Sequence, residues 1–452
     1  MTLPTSPRPQ QRTTPPATRR QSRWCRALPA AAAASLLLVA CGSGDGGAKK
    51  PGAADDPSAQ LLVWTDSTRQ PGFEQFKKAH PNVPMKIETY DSETLLTKIQ
   101  LFNRTGKGWP DVLFSQVPND VAALSSKQYD FAQPLDALIP ADVRTGFGKS
   151  NADCTIDGKL YCLKNDLAQS VLWYDKSLMD QFGYQVPTTW NEYRDLGLKV
   201  AKEHPGYLVG TAGFKFLYYD FFWASGCPLQ QVTGPDQVVI DTKDPRCTRV
   251  ADLLDPLIAA GSVSRSGPFD TDVIKLGQEK KILMMPGASW YGDFVFKPDN
   301  SFKSAKGTIA AAAYPKWEGE STNWSGSTGG GIYMVSKHTK NTKGAYDMAQ
   351  WMATSNEYQS TAATYPAYGP AAQVWSSRVN ADGFYASDPF PVLQGAVDRV
   401  NPIEANTRYQ IDAPMTATVV EKVRGGGKIA DGLSELDKQL TQLAQMSGYT
   451  VK

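Results

Sequence analysis

The chain is 452 residues long and 41% apolar, with 47 Lys and Arg against 45 Asp and Glu. Six of the bases are arginines within residues 1–40, a stretch without acids, so the remainder carries 41 bases against 45 acids. A balance of that size solvates the surface, and without a dense Lys/Arg stripe it excludes nucleic acid as a partner.

Residues 1–40 read as a secretory signal: the arginines, then an apolar run over 30–40, then small residues before the cut. That run is well short of the roughly 20 residues a membrane-spanning helix needs. Leu38-Val39-Ala40-Cys41 resembles a bacterial lipobox. The resemblance implies that Cys41 is lipid-modified, becomes the mature N-terminus and anchors the chain to the extracytoplasmic face of the cell membrane. Residues 41–58, rich in Gly, Ala, Asp, Lys and Ser, read as a flexible tether. Roughly 390 residues then remain, enough for two or three domains.

Leu61-Leu62-Val63-Trp64 suits a buried strand. Pro71 opens a helix with Phe73, Phe76 and Ala79 on one face, closed by His80-Pro81. Met85 to Tyr90 alternates as a second strand, Thr94 to Phe102 is a second helix, and Val112-Leu113-Phe114 is a third strand. Strands separated by crossover helices pair in parallel. The second half repeats this logic, with strands at Ser170–Tyr174, Lys281–Met285, Gly307–Ala313 and Gly329–Val335. Thr189 and Glu192 have capping-box spacing at a helix start, and helices run over Ala345–Ala353 and Leu433–Met446. The fold class is α/β, in two lobes.

Cys25 lies in the signal, which leaves Cys154, Cys162, Cys227 and Cys247 besides Cys41. In an oxidising compartment four cysteines point to two disulfides. Three pairings are possible, and proximity favours Cys154 with Cys162 and Cys227 with Cys247. A CxxC pair is missing, so a zinc site is disfavoured, and neither metal nor cofactor is expected.

Four segments carry a family resemblance: Leu62–Asp66 with the helix and exit that follow, Trp109–Phe114, Gly158 through Glu192, and Gly330–Lys337 with its helix. On these the chain resembles the extracellular solute-binding proteins of carbohydrate ABC importers, the maltose- and trehalose-binding-like class. The resemblance implies a two-lobed periplasmic-binding-protein fold of type II with a ligand cleft between the lobes. It places lobe one at 59–166 with 317–360 and lobe two at 167–316 with 361–452. It implies a monomer without enzymatic activity that captures a di- or oligosaccharide by lobe closure and delivers it to ABC permease subunits.

Carried over from the family, Asp66 and Arg69 contact ligand from the loop after the first strand, into which Trp64, a further ligand candidate, leads, and Gln116 and Asn119 from the loop after Phe114. Asp166 does so from the first crossing, and Phe216 and Tyr219 from the aromatic segment before Gly226. Trp290 matches a family Trp that stacks on sugar, Trp324 precedes the return crossing, and Arg408 and Tyr409 are late second-lobe contacts. Trp173, Trp190 and Trp351 sit within strand or helix patterns and read as core, and Asp111 as a residue that fixes backbone. The chain departs from the family twice: Tyr161-Cys162-Leu163-Lys164 replaces Tyr-Gly-x-Pro, and Gly226-Cys227 replaces Gly-Gly. The competing class is a secreted glycoside hydrolase, for which the acids are numerous enough. Three His and the absence of a Gly-x-Ser-x-Gly elbow disfavour metal and Ser-His hydrolases.

Overall fold

A computed structural model describes residues 55–403 and 406–452. The secretory signal, Cys41 and the tether up to residue 54 lie outside the described residues.

The first sheet has five strands in the order Met85–Thr89, Leu61–Thr65, Val112–Ser115, Ile332–Val335, Leu163–Lys164. The first three are parallel, as their crossover helices Gln70–Ala79 and Leu95–Thr105 require. Met85–Thr89 is an edge strand with one face open, hence its apolar–polar alternation; Val112–Ser115 is central and buried throughout. Asp111 fixes the entrance to that strand, accepting the Leu62 amide at 2.7 Å. Ile332–Val335 then inserts antiparallel beside Val112–Ser115. The core of this lobe draws on residues 61–163 and 332–367.

The second sheet departs from expectation. Ser170–Asp175 is its central strand, flanked by Met284–Ala288 and Ile309–Ala312, both antiparallel. The repeated parallel pattern fails because the neighbours of Ser170–Asp175 come from much later in the chain, without a crossover helix that fixes a parallel direction. The second of these strands begins three residues after the apolar run that announced it, and includes Pro286 and Gly287. A proline is tolerated there because the strand lies at the sheet edge. Leu172 enters one core while Val171 and Trp173 enter another on the opposite face, so the strand is apolar throughout. Trp317 packs into the first of these two cores. Helix Trp190–Glu203 begins with a complete capping box: Thr189 Oγ1 accepts the Glu192 amide at 3.2 Å and the Glu192 carboxylate accepts the Thr189 amide at 3.2 Å.

The chain passes between the two sheets three times, and the passages bond to one another. Asn165 N donates to Gly331 O at 2.7 Å, Leu167 N to Tyr365 O at 2.9 Å and Ala367 N to Asn165 O at 3.1 Å. Gly326 is needed here, since a Cβ would meet the Asp220 Cα at 2.5 Å. Asp220 is fully buried and accepts Thr328 Oγ1 at 3.0 Å. Burial pushes its carboxyl up to about 7, partly offset by hydrogen bonds from Ser170 and Thr328. Both expected disulfides are formed, Cys154–Cys162 and Cys227–Cys247.

Removing either disulfide by paired Cys→Ser substitution should cost about 2–4 kcal/mol by loop-closure entropy. The Cys227–Cys247 pair, with a separation of 20 against 8, should cost more, by about 1 kcal/mol; chemical denaturation of the two variants measures the difference. The Asp220 carboxyl titrates higher in the folded chain than in the unfolded one, so it contributes full stability below about pH 4 and loses it as pH rises toward 7. Asp220→Asn should therefore match the parent in Tm near pH 4 and exceed it by several degrees at pH 8, as followed by thermal unfolding across pH.

Candidate functional site

A cavity of about 240 Å³ opens where the crossings meet, lined by Asp66, Thr68, Arg69 and Gln116 from the first sheet's loops and by Phe214, Phe216, Phe269, Trp290 and Phe294 from the second. The crossings supply its remaining wall: Asp166, Gly329, Gly330, Gly331 and Thr364. Arg69 organises the polar side. Its guanidinium reaches Asp66 Oδ2 and Asp166 Oδ1, each at 3.3 Å, and lies 4.8 Å over the Phe114 ring. Burial works against its charge, yet the Asp166 and Asp66 carboxylates outweigh burial and hold it more basic than usual. Asp66 Oδ1 also accepts the Arg69 amide at 2.7 Å, which fixes the loop ahead of the first helix. Asp166 Oδ1 further accepts Asn165 Nδ2 at 2.6 Å and Gly331 N at 2.9 Å. Gly331 has no room for a side chain, since a Cβ would lie 2.3 Å from the Phe114 ring.

Trp290 anchors the aromatic side. Its indole N–H donates to Thr328 O at 2.8 Å, so its polar edge is held by a crossing. Ser289 ties the same loop down, Oγ to Leu167 O and N to Gln169 O, both at 2.9 Å. Phe216 and Phe294 stand edge-on to Trp290, and Phe269 is near-parallel to it at 9° with centroids 6.3 Å apart. Phe269 is 45% exposed.

A narrower cavity of about 40 Å³ adjoins and shares Gln116, Phe216 and Gly329 with the first. Asn119 lines it on one side, and Tyr219, Trp223, Gln410 and Asp412 on the other. Tyr219 donates its hydroxyl to Asp412 at 2.7 Å, and Lys215 pairs with the same carboxylate. Gln410 Nε2 reaches across to Asp120 Oδ1 at 2.7 Å, while Ser115 donates to Asp120 Oδ2 at 2.6 Å. Burial pushes the Asp120 carboxyl up to about 6. The charged residues lining the two cavities are thus Asp66, Arg69, Asp166 and Asp412, and the one cation among them is bonded to two acids.

Eight of the residues singled out in the sequence therefore come together: Asp66, Arg69, Gln116, Asn119, Asp166, Phe216, Tyr219 and Trp290. Four do not. Trp64 turns its ring away from the cleft: it donates to Glu88 at 3.1 Å and stacks on Tyr90 inside the first core. Tyr409 is 4% exposed and packs edge-on to Tyr449 in a second-sheet core. Arg408 pairs with Asp236 at 2.7 Å, covers the Tyr449 ring at 4.1 Å and faces a separate cavity. Trp324 lines another cavity again. Sequence reasoning missed Phe214, Phe269, Phe294, Thr364, Trp223, Gln410 and Asp412. Phe269 was the most accessible of these: Gly267-Pro268-Phe269-Asp270 puts a large ring in a turn, where no helical or strand period calls for one.

A profile of the bacterial extracellular solute-binding proteins matches residues 63–359. An arabinooligosaccharide-binding protein of Halalkalibacterium halodurans is 22% identical over 372 residues, which is 76% of this chain and 80% of that one. An ABC transporter extracellular-binding protein of Pyrococcus horikoshii is 24% identical over 300 residues, 62% of this chain; the match spans 64% of the relative's length. Among solved structures, the galacto-N-biose-/lacto-N-biose I-binding protein of Bifidobacterium longum superposes with a TM-score of 0.72 at 18% identity, covering 88% of this chain and 100% of that one. The GacH receptor of Streptomyces glaucescens, solved unliganded and with acarbose, superposes at 0.68 and 18% identity, covering 87% and 100%. The fold is the two-lobed α/β architecture of these binding proteins, and the chain belongs to the bacterial extracellular solute-binding protein family.

Proposed function

We propose that the protein is the saccharide-capturing subunit of an ABC importer, and that its ligand is an uncharged di- or oligosaccharide held between the lobes. The observation that carries this reading is the cavity that sets an aromatic bank around Trp290 against the Asp66–Arg69–Asp166 network. Rings match the C–H faces of a sugar, and carboxylates, amides and guanidinium match its hydroxyls. An anionic ligand would need a free cation, whereas Arg69 is already bonded to two acids. A glycosidase needs one of its two carboxyls free to carry a proton. Here Asp66 and Asp166 share a single guanidinium, which supports binding without turnover. Relatives named for arabinooligosaccharide and multiple-sugar binding agree with this ligand class.

We place the lobes at 59–166 with 317–360 and at 167–316 with 361–452; Trp317, at the start of the return passage, still packs its ring into a second-sheet core. Ligand that touches both lobes only when they close shifts the hinge population by its differential affinity. The closed monomer is then read by the permease subunits, and Cys41 keeps it at the extracytoplasmic face of the membrane as a lipoprotein.

Trp290→Ala should weaken binding of the best sugar from a thermal-shift panel at least tenfold, about 1.4 kcal/mol, with Tm little changed. Calorimetry with unchanged affinity would remove Trp290 from the site, and chromatographic detection of cleaved sugar would favour the hydrolase class. Cys41→Ser should move the protein from the membrane fraction to the medium, as read by fractionation and immunoblotting.

A further inference from the structure

The described tryptophans other than Trp324 all pack against one of the three cores. Trp324 joins none of them. It is half-buried, its ring meets no other aromatic, and its indole N–H has no hydrogen-bond partner among the described residues. It lines a cavity of about 650 Å³, larger than the cleft, built from second-lobe segments and the strap leading into the return crossing. The geometry points to a second saccharide-binding site there, with Trp324 as the platform for a sugar face and Glu320, Arg246, Gln231 and Asn401 for its hydroxyls.

The walls of this cavity are fixed in advance. Ser325 N donates to Arg399 O at 2.7 Å and Asn401 N to Ser325 O at 2.9 Å, which sets Trp324 beside Asn401. The Cys227–Cys247 bridge fastens the Gly226 turn to the first turn of helix Pro245–Ala260, and Ser225 Oγ donates to Arg246 O at 2.5 Å. Gly226, at φ +70°, forms part of the wall, with the Arg246 side chain alongside. The departure from Gly-Gly to Gly226-Cys227 is therefore where this cavity is shaped. Arg246 is held by Asp244 through two bonds, Nε to Oδ1 at 2.9 Å and Nη2 to Oδ2 at 2.7 Å, and remains 48% exposed toward solvent. Glu320 lines the cavity, and its Oε1 pairs with Arg249 at 2.8 Å, which fixes the carboxylate in the wall. A ring platform, a carboxylate, a guanidinium and two amides in a concave space of this volume are the complement of a small polyol with an apolar face.

The test is titration of the full chain with maltotriose, arabinotriose, β-1,6-galactobiose and lacto-N-biose, followed by intrinsic fluorescence and saturation-transfer NMR. In the Trp290→Ala background a weak, millimolar event should persist for at least one sugar. It should vanish in Trp290→Ala/Trp324→Ala, survive within about fivefold in Trp290→Ala/Trp324→Phe, and weaken several-fold with Arg246→Ala. Circular dichroism should be the same for all variants, because Trp324 supports no core. The proposal is overturned if Trp290→Ala gives no saturable signal with these sugars, if Trp290→Ala and the double alanine variant bind alike, or if Trp324→Ala weakens the tight event as much as Trp290→Ala does. A single event lost with Trp324→Ala but not with Trp290→Ala would instead overturn the cleft reading and leave this site standing.

Discussion

One buried guanidinium ties the ligand-facing parts of this molecule together. Arg69 stands at the start of the first helix, while Asp166 lies on the first passage between the lobes, and their contact joins a loop of one lobe to the hinge itself. The same Asp166 oxygen receives the Gly331 amide, so the return passage is held at that point too. A buried charge network is costly to desolvate and is tolerated when every member is bonded. Here that condition fixes the polar wall of the cleft before any ligand arrives.

The opposite wall is organised by packing. Phe214, Phe216, Phe269, Phe294 and Trp290 form a bank in which only the Trp290 edge is hydrogen-bonded. Such a bank offers area without direction, whereas the acids and amides opposite offer direction without area. Under the proposed function, selectivity rests on the placement of Asp66, Gln116, Asn119 and Asp412, and on Arg69 holding Asp66 and Asp166 in position.

Much of the local structure was legible in the sequence. The apolar run Leu61–Trp64, the alternation of Met85–Tyr90 and the Thr189/Glu192 spacing each report a local rule that tertiary packing reinforces. The antiparallel second sheet was not legible, because the partners of Ser170–Asp175 are set by contacts distant in sequence and one of them contains Pro286. At the site, Asp66 and Gln116, loop residues next to strand ends, entered through the family resemblance, and both line the cleft. Trp64 sits in the strand as read, but its ring packs with Tyr90 and Phe102 rather than facing the cleft, a direction that local pattern does not report. Arg408 and Tyr409 failed because both are committed to Tyr449, a partner supplied by the last residues of the chain.

The insertion of Ile332–Val335 between Val112–Ser115 and Leu163–Lys164 has a kinetic corollary. A nascent chain cannot complete the central ladder of its first lobe until nearly three quarters of its length has been made. Late, non-local pairing slows folding and leaves early segments open. Until then Val112–Ser115 and Leu163–Lys164 both lack the neighbour that joins them, and the last-made strand of the sheet closes its ladder.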